Sequence, residues 1–310
     1  MPFGVIDIGA YIPRLRLDRG AIAAAHKWMA PSLAGSAKGE RAFCSFDEDA
    51  VTMSVEALRD GVPAAERARV RGLILASTPL PYADLSNAAI VAAAADLPSD
   101  IQATESTGSQ RAATSALIQA LRTGAEDTVI VATERPQAKP ASAQEKQFGA
   151  GAASLRLGKG EVIARFLGAG SVSLNFPDHV RAEGANDPYF WEERWIRDEG
   201  CGKLIPPAVK AALATSCGMA GAAHAFLMLA RVLETAGAGQ RILVVGFWQG
   251  ADAIVLEATG KRASGRGVSA ALADKMVPQD YLRVLSFYGR IELDWRMRAE
   301  GAEKAALTNA

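Results

Sequence analysis

The sequence predicts an α/β fold in which two related halves of βαβαβ type pack into a layered α/β/α/β/α body. Strand-like runs rich in β-branched and apolar residues alternate with helical patterns, the signature of crossover helices covering a mostly parallel sheet on both faces. One supersecondary unit occurs twice, which implies an internal duplication. The chain has 310 residues, 49% of them apolar, enough to bury a large core.

The first strand is read at "FGVIDIGAYI" from Phe3 to Ile12, and others at "RGLILAST", "DIQATE" and "DTVIVATE". Helical patterns fall between them at "DEDAVTMSVEALRDG" and "SNAAIVAAAADL". Asp47, Glu48 and Asp49 stand where the first of these helices begins. Acids there complement the helix's positive end, so they are read as caps and not as catalytic groups.

The duplicated unit runs helix, glycine turn, apolar strand, glycine-led strand. Its first copy is "SALIQALRTGAEDTVIVAT" with "GAGAASLRLG"; its second is "AFLMLARVLETAGAGQRILVVG" with "GADAIVLEATG". Between the copies, "SVSLNFPDHVRAEGANDPYFWEERWIRDEGCGKLIPPAV" mixes aromatic, charged and proline residues, the composition of a surface excursion ending in a helix. Beyond Gly260 the pattern weakens, and Tyr281, Phe287, Tyr288 and Trp295 are scattered among charges. The expected division is residues 1–160, 161–260 (a shortened second half) and a 261–310 tail that lies on another surface.

Lys plus Arg and Asp plus Glu balance at 34 each, and the absence of a long basic run argues against a nucleic-acid partner. No apolar run reaches bilayer-spanning length and the N-terminus lacks a secretory signal, so a cytoplasmic protein without a membrane partner is expected. Cys44, Cys201 and Cys217 are widely spaced. Buried thiols are expected from them, with no disulfide framework, no metal site and no resident cofactor.

In the order of "IGAYIPRLRL", "FDEDAVTMSVEAL", "RAATSALIQAL", "GAGAASLRLG", "WEERWIRDEG" and "RILVVGFWQGADAIVLEATG", nearly the whole chain resembles the thiolase superfamily. The branch it resembles holds hydroxymethylglutaryl-CoA synthases and initiating ketoacyl-ACP synthases. That resemblance implies a thiolase-like fold and a site where a Cys at a buried helix N-terminus attacks a thioester, helped by His and Asn or a second His. A helix N-terminus lowers a thiol's pKa and populates the thiolate.

Carried over residue by residue, the family's catalytic positions are altered. With Thr114 and Leu117 as anchors, the Cys position falls on Gln110, beside Ser109; a shifted register places Ser106 there instead. The family's Gly-Asn pair falls on "CGMAGAAHAFLML", putting Met219 at the Asn. The remaining His comes, in the family, from a segment that "KLIPPAVKAALATSCGMAG" leaves no room for. Of His26, His179 and His224, only His224 lies near the pocket, as a carbonyl-polarising group or a satisfied core residue; His179 is read as a loop residue and His26 as part of a surface helix. Cys217 opens the second buried helix without matching the nucleophile. Glu134, Arg135 and Glu145 flank the pocket's opening and are read as solvated or structural ion pairs.

Two functional readings follow. In the first, the chain is a catalytically degenerate subunit of an acyl-CoA-processing complex. The resemblance implies as partners a thiolase and an OB-fold zinc-ribbon acyl-CoA-binding protein, because "YLRVLSFYGRIELDWRMRAEGAEKAALT" resembles the segment leading into such a domain in fused relatives. In the second, the chain makes or breaks a C–C bond beside a thioester by condensation, retro-aldol cleavage or decarboxylation. Gln110, Ser109 or backbone amides then form an oxyanion site, and no Cys acyl-enzyme is made. Acyl-CoA is the expected ligand in either case. A homodimer or a heterodimer with a thiolase is expected through an edge strand near "DTVIVATE".

Overall fold

The computed structural model of the protein describes residues 2–182, 184–191, 217–276 and 280–293. The chain begins with β1 (Phe3–Tyr11), followed by β2 (Arg16–Asp18), α1 (Arg19–Ala25) and β3 (Glu40–Ala42). Then α2 (Ala50–Gly61), β4 (Gly72–Ala76), α3 (Asn87–Ala94), β5 (Gln102–Ser106), α4 (Ala112–Thr123) and β6 (Thr128–Glu134) alternate. A short α5 (Ala143–Gln147) leads into β7 (Gly151–Lys159). The rest comprises β8 (Ala164–Ser173), the hairpin of β9 (His179–Val180) and β10 (Tyr189–Phe190), α6 (His224–Leu233), β11 (Arg241–Phe247), β12 (Gly250–Ala258), α7 (Gly267–Ala273) and α8 (Tyr281–Phe287).

Local chemistry explains the start of each crossover helix. Asp49 caps α2 through a reciprocal capping box with Thr52, and Ser86 caps α3 by accepting from Ala89 N. Each satisfies an amide the helix cannot. At its far end α4 stops on Gly124, whose φ of 65° is the left-handed value a glycine adopts without a Cβ penalty.

Eight strands form one sheet in the order β11-β12-β8-β1-β7-β6-β4-β5. Only β4–β5 and β4–β6 are parallel; the other pairings are antiparallel. The expectation of a mostly parallel sheet is therefore corrected to a mixed one, since α3 and α4 are the crossovers that return parallel strands and β7, β8 and β12 turn back on their neighbours. The first-half strands join the second-half strands at one short pairing, Gly4 with Arg165 and Val5 with Ala164. A Cβ on Gly4 would lie 2.1 Å from the Ala164 carbonyl oxygen, so only glycine permits that approach.

The duplicated unit is visible in the topology. In α4–β6–β7 and in α6–β11–β12 a helix leads to a strand that turns back antiparallel beside the next. α4 and α6 lie between the two groups of strands, with Leu117, Leu121, Phe226, Leu227 and Leu229 packed against Leu155, Ile254 and Leu256. Burying each such side chain contributes about 1.5–3 kcal/mol. α2 and α3 cover the other face of β4 and β6 through Val55, Leu58, Val91, Leu73, Val129 and Val131. These are four layers of the thiolase-like stack, and no outer helix over β8, β12 and β11 falls among the described residues.

Three further readings meet the structure here. "DTVIVATE" is not an edge: β6 is buried along its whole length between β4 and β7, and the edge strand of this half is β5, whose residues are exposed or half-buried. The region after Gly260 folds back on its own chain. α7 packs on β1 and α6, while Tyr281, Val284 and Leu285 of α8 share a core with Leu15, Leu17, Ile22 and Phe43. "WEERWIRDEG" beyond Trp191, Cys201, most of "KLIPPAVKAALATSCGMAG" and the tail from residue 294 lie outside the described residues. Among the described residues no helix is long and apolar enough to cross a membrane.

Candidate active site

Gln110 stands two residues ahead of α4, in the turn where Ser109 Oγ accepts from Arg111 N and the Ser109 carbonyl accepts from Ala112 N. Ser109 is thus used in starting the helix. Gln110 reaches sideways, its Nε2 3.3 Å from Thr78 Oγ1 in the loop after β4. Thr78 Oγ1 donates in turn to Glu134 Oε1 at 2.5 Å. Glu134 ends β6 and is 1% exposed; its Oε2 also accepts from Ala222 N at 3.2 Å and from Thr78 N at 3.4 Å.

Glu134 was expected as an ion-pair residue, and the structure corrects this: the groups bonded to it are a hydroxyl, amides and a side-chain amide, all neutral. Burial raises its pKa from 4.5 to about 7, against the hydrogen bonds from Thr78, Ala222 and Gln110 that favour the carboxylate. Arg135 and Glu145 are corrected likewise. The Arg135 guanidinium lies 4.5 Å from the Tyr288 ring centroid and donates to the Phe287 carbonyl. Glu145 is buried and accepts from Tyr281 O–H at 2.8 Å and Ala141 N at 2.8 Å.

The second half reaches this place through the turn Gly221–Ala223. Gly221 has a φ of 47°, and a Cβ there would lie 2.4 Å from Glu134 Cγ and 2.8 Å from Gln110 Oε1. His224 begins α6 directly afterwards. It is half-buried, its Nδ1 is shielded without a hydrogen-bond partner, and burial lowers its pKa, so it is not a satisfied core residue. Met219 is held elsewhere, its backbone bonded to Gln147 and Gly149 and its side chain 43% exposed. Gln110 and the Gly221 turn are therefore brought together, whereas Ser109 and Met219 bond to neither Thr78 nor Glu134.

A second polar group locks α4 to the other sheet. Arg111 donates to Asp252 Oδ1 at 2.8 Å and to the carbonyls of Trp248 and Gln249. Asp252, fully buried, also accepts from the hydroxyls of Thr114, Ser115 and Ser171. Neither residue stood out in the sequence. Beside them His179 is no loop residue: it lies in β9, bonds Asp178 at 2.6 Å and packs 4.2 Å from the Trp248 ring. His26 ends α1 and contacts the Tyr281 hydroxyl at 2.6 Å.

The two thiols among the described residues, Cys44 and Cys217, make no hydrogen bond to Gln110, Thr78 or Glu134. Burial pushes Cys44 up to about 12 and Cys217 up to about 11. Among the same residues no group of His, Cys, Asp and Glu could hold a metal ion.

No protein-family model matches the chain. It is 33% identical over 193 residues to the hydroxymethylglutaryl-CoA synthase of Methanocaldococcus jannaschii, covering 60% of this chain and 56% of that one. It is 29% identical over 194 residues to the hydroxymethylglutaryl-CoA synthase of Methanocella arvoryzae, covering 61% and 56%. In three dimensions it matches a hydroxymethylglutaryl-CoA synthase complexed with CoA at a TM-score of 0.75 and 16% identity, over 97% of this chain and 93% of the other. PksG, a synthase from Bacillus subtilis, matches at 0.73 and 14% identity, over 98% and 94%. The chain is hydroxymethylglutaryl-CoA synthase-like, with the thiolase-superfamily fold. It spans a little over half the length of the curated relatives it matches.

Proposed function

We propose that this hydroxymethylglutaryl-CoA synthase-like chain handles acyl-CoA without taking the acyl group onto a cysteine. What supports this reading is Gln110, two residues ahead of α4 where the resemblance puts the nucleophile, with its amide turned to Thr78. An amide forms no acyl-enzyme. The test is incubation with labelled acetyl-CoA followed by mass spectrometry of the intact protein. Binding without covalent label is the expected result, and a stable acyl adduct sinks the reading.

In this reading the chain is a cytoplasmic complex subunit that has lost cysteine-based catalysis. Its partners are a thiolase and an OB-fold zinc-ribbon acyl-CoA-binding protein, and it takes no resident cofactor. The open edge of β5 supports a dimer, with a second copy or with the thiolase, formed by extending the sheet. Co-purification of the tagged chain with stoichiometric partners is the expected outcome; a homodimer binding neither purified partner overturns the complex.

One observation favours a second reading, that acid–base chemistry remains. A buried carboxyl with a pKa of about 7 is a poor structural group and a well-tuned proton carrier at neutral pH. It supports non-covalent condensation, retro-aldol cleavage or decarboxylation at a thioester's Cα.

A further inference from the structure

We propose that Thr78 and Glu134 form a two-membered proton relay, with the Thr78 hydroxyl meeting an acyl thioester and Glu134 holding the proton behind it. The proposal rests on the reading that the chain takes acyl thioesters at this site. Its geometry is a set of bonded groups: Gln110 Nε2 lies 3.3 Å from Thr78 Oγ1, and Thr78 Oγ1 lies 2.5 Å from Glu134 Oε1. Among the described residues no cation is bonded to the carboxyl. Arg111, on the α4 side, is spent on Asp252; Arg135, next in sequence, lies over Tyr288; His224, on the α6 side, makes no bond to the carboxyl. The Gly221 turn closes over Glu134 and leaves no room there for a side chain.

A glutamine could accept from the two backbone amides on its one oxygen only by turning its NH2 toward Thr78 and reversing that bond. What only an ionisable carboxyl adds is a proton that can be taken up and returned, and burial has moved its pKa to the neutral range where such transfer is most effective. The other candidate groups are weaker: both described thiols are pushed far above neutrality, and His224 Nδ1 makes no hydrogen bond.

The substrate class is an acyl thioester with a hydrogen on Cα. The Cα–H bond breaks as Thr78 Oγ takes that proton, and the hydroxyl's own proton passes to Glu134 Oε1, which becomes a neutral acid. The C–H electron pair forms the Cα=C bond of an enolate and the carbonyl π pair moves to the thioester oxygen, where the Gln110 amide is the nearby donor. Charge moves from Glu134 to the enolate, and return of the proton reverses the step, with no oxidant or reductant required.

The full chain is incubated with acetyl-CoA in D2O, deuterium entry into the acetyl methyl is followed by NMR, and acetyl-CoA binding is measured separately by calorimetry. Exchange is expected to rise with pH around a midpoint near 7. Glu134→Gln and Thr78→Val should each slow it about 100-fold or more without abolishing binding, and Thr78→Ser should restore it. Binding without exchange, a flat pH profile, or full exchange in either blocked variant overturns the relay. If acetyl-CoA does not bind, the acyl-thioester reading fails, and the relay is then decided by NMR titration of the 13C-labelled Glu134 carboxyl. A midpoint near 7 that moves upward in Thr78→Val supports it, whereas an ordinary carboxylate midpoint overturns it.

Discussion

Two buried acids lie on either side of the start of α4, and they are solved differently. Asp252 has a guanidinium and three hydroxyls, so its charge is compensated on every side. Among the described residues Glu134 has only neutral donors, from Thr78, Gln110 and Ala222. The first arrangement ties the helix of one half to the strands of the other; the second leaves a carboxyl undecided between its two protonation states at neutral pH. Full compensation builds a joint, and incomplete compensation leaves chemistry available.

The comparison breaks most sharply at Asp252. Asp252→Ala strands the Arg111 charge in the interior and should cost about 3–5 kcal/mol in urea unfolding. A loss below about 1 kcal/mol would remove Asp252 from the role of a joint.

Glu134 should behave in the opposite sense. Its folded pKa is raised, so the folded state keeps a proton where the unfolded chain has lost it. The stability this contributes is fully present below 4.5 and is lost as pH rises through about 7. Glu134→Gln should therefore match the parent near pH 4.5 and exceed it by on the order of 3 kcal/mol at pH 8. Parallel stability–pH curves for the two proteins would contradict the raised pKa.

Gly221→Ala tests the closure over that carboxyl. The added Cβ meets Glu134 Cγ and Gln110, in a left-handed backbone conformation, so a loss of about 1–3 kcal/mol in thermal or urea unfolding is expected. No loss would mean the turn is free to move away.

The smallest effect sharpens the reading of Gln110. In Gln110→Cys a thiol regains the helix N-terminus, but the Glu134 carboxylate opposes a thiolate beside it. Adding Glu134→Gln should lower the thiol's pKa by about one unit, roughly 1.4 kcal/mol, measured from the pH dependence of iodoacetamide alkylation. Equal profiles in the single and double variants would place the two groups out of electrostatic reach.

Much of the fold was legible because it is written in local patterns. The β-branched run at Thr128–Glu134, the capping box at Asp49 and Thr52 and the glycine stop at Gly124 each act within a few residues, and each element lies where its pattern puts it. What pattern cannot carry is neighbourhood in space. β6 was read as an edge because nothing in its seven residues says that β4 and β7 flank it. The residues after Gly260 were read as a docking tail because Tyr281 finds its core only beside Leu15, Ile22 and Phe43.

The site divided the same way. Gln110 was found because it stands at a fixed offset from Thr114 and Leu117 along one helix start. Glu134 was read as a solvated or structural ion pair, although an acid ending an otherwise apolar strand signals burial. Arg111 and Asp252, 141 residues apart, had no such signal.

By itself, then, the sequence determined the elements, their duplicated order and the glutamine ahead of α4, since these depend on side-chain type and short-range spacing. The mixed sheet, the joint between the halves and the protonation of Glu134 were decided only by tertiary structure. Strand neighbours, long-range ion pairs and desolvation arise from groups distant in the chain, and a carboxyl's pKa is set by what surrounds it after folding.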